Sequence, residues 1–187
     1  ISNRNTGNQS STNGELDNTY SNSSEYKIGY TKYNEDSYVN FICENYNMNY
    51  GIPPSLEGHL NGVDIKLVKK TFQANFHKDI LLEVFNQLDI KYNFIDYIHR
   101  EFENNASYAQ VALSKNTHNL KVELKSINSI FGAELIYKDY MPGGLYYTPQ
   151  TDEIDFALYG YNQKTYNSFD LLSSLRIGYL SIKPDSD

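Results

Sequence analysis

The sequence predicts an α+β sandwich: repeated βαβ-type units in which two or three amphipathic helices pack on small mixed sheets. Three observations predict it. Ile80, Leu81, Val84, Phe85 and Leu88 fall at i, i+1, i+4, i+5 and i+8, which places them on one face of a helix over about 78–89. A second stripe, Leu120, Leu124, Ile127 and Phe131, follows a capping Asn116 or Thr117 and stops at Gly132, where a left-handed turn is free of strain. Alternating apolar runs stand before and after each stripe, as strands do. An amphipathic helix needs a layer to cover, so stripes and strands together imply packed layers.

In chain order, residues 1–24 (ISNRNTGNQSSTNGELDNTYSNSS) hold almost nothing to bury. They read as a flexible or extended arm that orders only against a neighbouring surface. Residues 25–62 form an irregular segment with a short helix expected around 37–45, closed by Gly51-Ile52-Pro53-Pro54, since paired prolines bar both helix and central strand. The main domain is expected over 63–150, in the order βαββαββ. Val63 to Phe76 supplies one or two strands with Ile65, Leu67, Phe72 and Ala74 inward, and the first helix follows. Lys91 to Ile95 and Ser107 to Ser114 are strands, the second helix ends at Phe131, and Ala133 to Tyr137 pairs with Leu145 to Thr148 around Met141-Pro142-Gly143-Gly144. Residues 151–187 begin a further unit: a strand over 154–161, a helix over 168–176 and a strand over 179–182.

Charge and composition exclude several function classes. A net charge of −7 and a pI near 5.1 argue against nucleic acid, which requires clustered Lys and Arg to displace counterions. No apolar run approaches the ~20 residues of a membrane-crossing helix, so the chain is expected to be soluble without a span of its own. A single cysteine, Cys43, cannot form an internal disulfide, and the setting Phe41-Ile42-Cys43 implies a buried, inert thiol. The 18 tyrosines without tryptophan have two readings: an AT-biased genome, or an extracytoplasmic protein with wet polar contact surfaces. Sequons at Asn8, Asn22 and Asn105 are expected by chance in so Asn-rich a chain.

The segment from Leu60 to Asp96, LNGVDIKLVKKTFQANFHKDILLEVFNQLDIKYNFID, sets an alternating strand, a polar turn, an Asp-Ile-Leu-x-x-Val-x-x-x-Leu stripe and an aromatic strand ending in Asp in succession. Asn119 to Pro149, NLKVELKSINSIFGAELIYKDYMPGGLYYTP, sets a leucine stripe before a glycine and a terminal hairpin. This order resembles the N-terminal domain of secretins, also found at the front of TonB-dependent receptors. The resemblance covers about half of the chain, and its connection over 97–106 is longer than usual. It implies the periplasmic face of an outer-membrane secretion or type IV pilus channel, or an associated lipoprotein. It also implies a homo-oligomeric ring or an envelope complex as the partner.

Chemical groups are sparse. His59, His77, His99 and His118 are too widely spaced for a helical metal pair, so no metal and no cofactor are expected. His77 and Asp79 read as a helix start, and Glu101 and Glu103 as a solvated loop face. No Lys-Ser or Lys-Thr follows the glycines of 58–62 or 141–144, which excludes a phosphate-cradling loop. Gly51 to Leu56 resembles the entry to the catalytic helix of peptidoglycan-cleaving glucosaminidases and transglycosylases, with Glu57 as the one candidate acid, but turn-rich residues follow in place of that helix.

The sequence is therefore read as a non-enzymatic scaffold module of a bacterial envelope channel, with no catalytic residues. The alternatives are a secreted or surface recognition domain working through tyrosines and, behind it, a peptidoglycan hydrolase. For a scaffold, the interaction surface is expected at a strand edge formed by Thr71, Phe72, Gln73, Ala74, Asn75 and Phe76, which Lys69 and Lys70 would guard.

Overall fold

The computed structural model describes residues 1–56, 59–103, 106–145 and 148–185. Eleven strands occupy them: β1 (Ser2–Thr6), β2 (Gln9–Ser11), β3 (Gly14–Leu16), β4 (Ser21–Tyr33), β5 (Ser37–Ile52), β6 (Val63–Asp79), β7 (Gln87–Glu103), β8 (Val111–Lys125), β9 (Ser129–Gly144), β10 (Thr151–Thr165) and β11 (Asp170–Pro184). Nine of them form one antiparallel sheet in the order β1-β4-β5-β6-β7-β8-β9-β10-β11, and β2 and β3 make a separate small hairpin. The α+β expectation is therefore overturned. No helix is present among the described residues, and the βαβ units are runs of a single meander.

Each expected helix dissolves for a physical reason. Residues 80–86 are the link between β6 and β7, where Leu81 and Val84 stand exposed, and Leu88 already belongs to β7. Leu120 and Leu124 lie on β8, Ile127 in the turn 126–128 and Phe131 on β9, so the second stripe is divided between two strands. The region 168–176 is the β10–β11 turn and the start of β11, and 37–45 begins β5. A spacing of four satisfies either period: it is close to one helical turn and is also two full strand repeats. Ladders of 15 to 17 paired residues between neighbouring strands resolve the ambiguity toward sheet.

Other expectations shift with the fold. Residues 141–144 are the end of β9 rather than a turn. The partner proposed for them, Leu145 to Thr148, lies partly outside the described residues, as do Glu57, Gly58 and Asn105. Ile65 and Leu67 face one side of β6 while Phe72 and Ala74 face the other, because 67 and 72 differ by an odd number. The sheet runs without interruption through the intervals 25–62, 63–150 and 151–187. The polar arm also carries strands. β1 pairs with Ser21–Glu25 of β4, and Asn18, at φ 54°, donates its amide to the carbonyls of Ile52 (2.9 Å) and Val63 (3.1 Å). That amide occupies the space beside Gly51 and Gly62 that a Cβ at either position would need.

The sheet is one layer deep. A compact soluble chain of 21.6 kDa exposes about 9,200 Å² by the usual surface-to-mass scaling. This one exposes 13014 Å², and among the described hydrophobic residues only Val63, Ile65 and Ala157 are buried.

Candidate functional site

The two faces of the sheet are inverted relative to a water-soluble protein. β10 shows it most plainly. Thr151, Glu153, Asp155, Tyr159, Tyr161 and Gln163 point to the sheltered side with the buried Ala157, while Ile154, Phe156 and Leu158 on the open side are each about two-fifths exposed. Strand pairing carries this alternation from β5 to β10, giving an apolar open face and a mainly polar sheltered face, to which Val63 and Ile65 on β6 add a small apolar end; β11 is exposed on both sides.

On the open face the paired residues form rows. One runs Tyr30, Phe41, Ala74, Tyr92, Leu120, Leu135, Phe156, Tyr179 from β4 to β11. Apolar rows flank it, from Leu88, Leu124 and Phe131 on one side to Ile28, Phe72, Phe94, Tyr137 and Ile154 on the other. Beyond them the face turns polar at Asn45, Lys70, Asp96, Asn116, Asp139, Asp152. Along β7 the apolar band reaches from Leu88 to Phe94, which with its side chains is about 20–25 Å at roughly 3.3 Å per residue. Aromatic rings line the edge of the band next to the polar row: Phe41–Phe72 (6.4 Å), Phe72–Tyr92 (6.3 Å), Phe94–His118 (4.8 Å) and His118–Tyr137 (6.1 Å). A groove of about 610 Å³ runs along this face past Tyr26, Ile28, Phe72 and Phe94. Cys43 lies in it, exposed rather than buried, which corrects the expectation of a core thiol.

The sheltered face holds a belt of charge at one level. The register aligns Tyr38, His77, Asp89, Glu123, Gly132, Tyr159 and Arg176 from β5 to β11. His77 Nδ1 lies 2.7 Å from Asp89 Oδ1, and Lys125 Nζ bridges Asp89 Oδ2 (2.8 Å) and Glu123 Oε2 (3.1 Å). Lys121 Nζ (2.7 Å) and the Tyr159 hydroxyl (2.7 Å) reach Glu123 Oε1. Burial pushes the Glu123 carboxyl up, but hydrogen bonds from Lys121, Tyr159 and Lys125 more than reverse that and hold it at about 2. Asp89 is held below its ordinary value in the same way: burial opposes the shift, and Lys125 and His77 impose it.

Tyr159 is fixed from three sides. Its ring covers Gly132, with Lys121 Nζ 5.3 Å and Arg176 Cζ 5.9 Å from its centroid. A Cβ at position 132 would overlap that ring, so Gly132→Val is expected to swing Tyr159 off Glu123 and cost about 1–3 kcal/mol by overpacking. Tyr159→Phe, which keeps the ring and loses only the hydroxyl, is expected to cost less. Urea titration of both variants checks the order.

The residues singled out in the sequence are placed differently from expectation. Thr71–Phe76 is the middle of β6, bonded to β5 on one side and β7 on the other, and is not an edge. The open edges are β11 at one end of the sheet and, at the other, the outer side of β1 together with residues 26–33 of β4. His77 and Asp79 end a strand, with His77 Nε2 3.4 Å from Asp79, and start no helix. Glu101 and Glu103 lie on β7 rather than in a loop, where Glu101 meets His99 Nε2 at 3.0 Å and Glu103 meets His59 Nδ1 at 2.8 Å. The tyrosines divide between the faces instead of gathering in one patch: Tyr30, Tyr92, Tyr137 and Tyr179 on the open side, Tyr38, Tyr97, Tyr159 and Tyr161 on the sheltered side. Among the described residues no group of three or more His, Cys, Asp or Glu is arranged to hold a metal ion. The charge belt was the feature that sequence reasoning missed. Its signal was the polar alternation Asn119, Lys121, Glu123, Lys125 against Leu120, Val122, Leu124.

No protein-family model matches the chain, and no curated protein matches its sequence.

Proposed function

We propose that this chain is part of the wall of a transmembrane β-barrel of the outer-membrane type, with its open face against lipid and its polar face lining an aqueous lumen. One observation carries the reading: from β5 to β10 the sheltered side of the sheet is mainly polar and charged, while the exposed side carries the apolar band. Water imposes the opposite order on a soluble antiparallel sheet, whose apolar face is the covered one. Hydrocarbon imposes this one, because strands in a bilayer alternate apolar outward and polar inward.

Three further features agree. The apolar band of about 20–25 Å along the strand stands roughly 15–20 Å tall once strands tilt by about 35–45°, somewhat under the roughly 25 Å band of membrane barrels, and the aromatic row at its margin matches their interfacial girdle. The links at one end of the sheet (34–36, 80–86, 126–128, 166–169) are on the whole shorter than those at the other (53–62, 104–110, 145–150), as in barrels with short turns on one side and longer loops on the other. A membrane barrel also tolerates no unpaired edge, so in the bilayer β11 at one end and β1 with residues 26–33 of β4 at the other must each meet another strand.

The envelope location expected from the sequence is retained in this proposal, as is the absence of a catalytic role. The periplasmic ring module is set aside because the helical stripes that suggested it lie on strands and turns.

Fluorescence tests the reading directly, since the chain has no tryptophan. Tryptophan placed at Leu135 or Phe156 is expected to be quenched several-fold more strongly by bromine on lipid acyl chains than tryptophan at Asn93 or Asp155. Equal quenching at the four positions would remove the proposal.

A further inference from the structure

On the sheltered face β6, β7 and β8 frame a half-open hollow of about 250 Å³ lined by Gln73, Asn75, Lys91, Asn93, Asn119 and Lys121. Its side chains stand in two adjacent rows, Gln73–Asn93–Asn119 and Asn75–Lys91–Lys121. Four amides and two ammonium groups in so small a space are more than the wall itself uses. Asn75 Nδ2 is donated to Asn40 (3.1 Å), Asn119 Nδ2 to Glu134 (3.2 Å) and Lys121 Nζ to Glu123 (2.7 Å). The amide of Gln73 and the ammonium of Lys91 have no side-chain partner among the described residues, and Asn93 Oδ1 has no hydrogen-bond partner. The amide oxygens of Asn75 and Asn119 remain open as acceptors.

This inventory selects a ligand class. Amides offer donors and acceptors side by side, as a hydroxyl that both gives and takes a hydrogen bond requires. The exposed ammonium of Lys91 adds one positive charge, and the carboxylates at neighbouring positions, Asp89, Glu123 and Glu134, are already engaged. We propose that this hollow is a binding subsite for a hydroxyl-rich monocarboxylate the size of a single sugar acid. Lys91 holds the carboxylate, and Gln73, Asn93 and Asn119 meet the hydroxyls. The subsite rests on the reading that this face lines a lumen, and it gives that lumen a solute preference.

Isothermal titration of the full chain in detergent micelles tests it, with glucuronate, glucose and acetate as probes. Glucuronate is expected to bind saturably and at least tenfold more tightly than glucose or acetate. Lys91→Met is expected to reduce glucuronate to the level of glucose, and Gln73→Leu to weaken both sugars, with circular dichroism showing unchanged strand content. Absence of saturable glucuronate binding, or an undiminished preference in Lys91→Met, overturns the subsite. Micelles need no bilayer insertion, so a failed titration beside a positive acyl-chain quench removes the subsite alone. The opposite pair of results removes the membrane wall and leaves a sugar-acid site on a sheet of another kind.

Discussion

Leu135→Lys is expected to destabilise the vesicle-folded protein by about 2–4 kcal/mol, the depth-dependent cost of a cation near the bilayer midplane. Leu135 stands in the central apolar row, paired with Leu120 and Phe156, and is 43% exposed. Were that face in water, a lysine there would be close to neutral, as substitutions at exposed sites are. The medium therefore decides the size of the effect. Ile136→Lys is the control, one residue along and on the other face, where its neighbours are Asn119 and Asp155. It is expected to change stability by no more than about 1 kcal/mol. Urea titrations of the two variants in vesicles check the difference. A Leu135→Lys protein as stable as Ile136→Lys would mean that the open face does not meet hydrocarbon.

Glu123→Gln is expected to cost on the order of 3 kcal/mol, because it leaves Lys121 and Lys125 without their shared carboxylate in a sheltered position. The same magnitude follows from the carboxyl being held at about 2 against an ordinary 4.5, at about 1.4 kcal/mol per pKa unit. The pH dependence has a definite sign. A carboxyl whose folded value is depressed contributes its full stability above the unfolded value and loses it as the pH falls through the folded one. Wild-type protein should therefore lose stability progressively from about pH 4.5 to about pH 2. Glu123→Gln should show a flatter profile over that window. Denaturant midpoints measured at half-unit intervals of pH test this, and parallel profiles for the two proteins would show that Glu123 does not govern the belt.

Part of this architecture was legible in the residues themselves. Alternation in Ile154 to Tyr161 marks a strand whichever face is covered, and Pro53-Pro54 marks a break between β5 and β6. The absence of a long apolar helix was legible too, and it bears only on helical spans, because a barrel strand crosses with about ten alternating residues and never assembles a long apolar run. The helical stripe failed at Leu120, Leu124, Ile127 and Phe131, where the spacing of four between Leu120 and Leu124 fits both periods and the step of three to Ile127 runs into the turn at 126–128. Only the continuous ladder β7–β8–β9 separates the two.

By itself, then, the sequence determined the alternation of a strand such as Ile154 to Tyr161, the break at Pro53-Pro54, and the net charge of −7, because each depends on local sterics or on counting. What only the tertiary structure decided was which face of each strand is sheltered. Period-two alternation is symmetric between an apolar-in and a polar-in sheet, and pairing alone brings His77, Asp89, Glu123, Tyr159 and Arg176, spread over 100 residues, into one row. Stacking those residues side by side is also what compensates the charges on this sheltered face, since each carboxylate finds its cation on the neighbouring strand or two residues along its own.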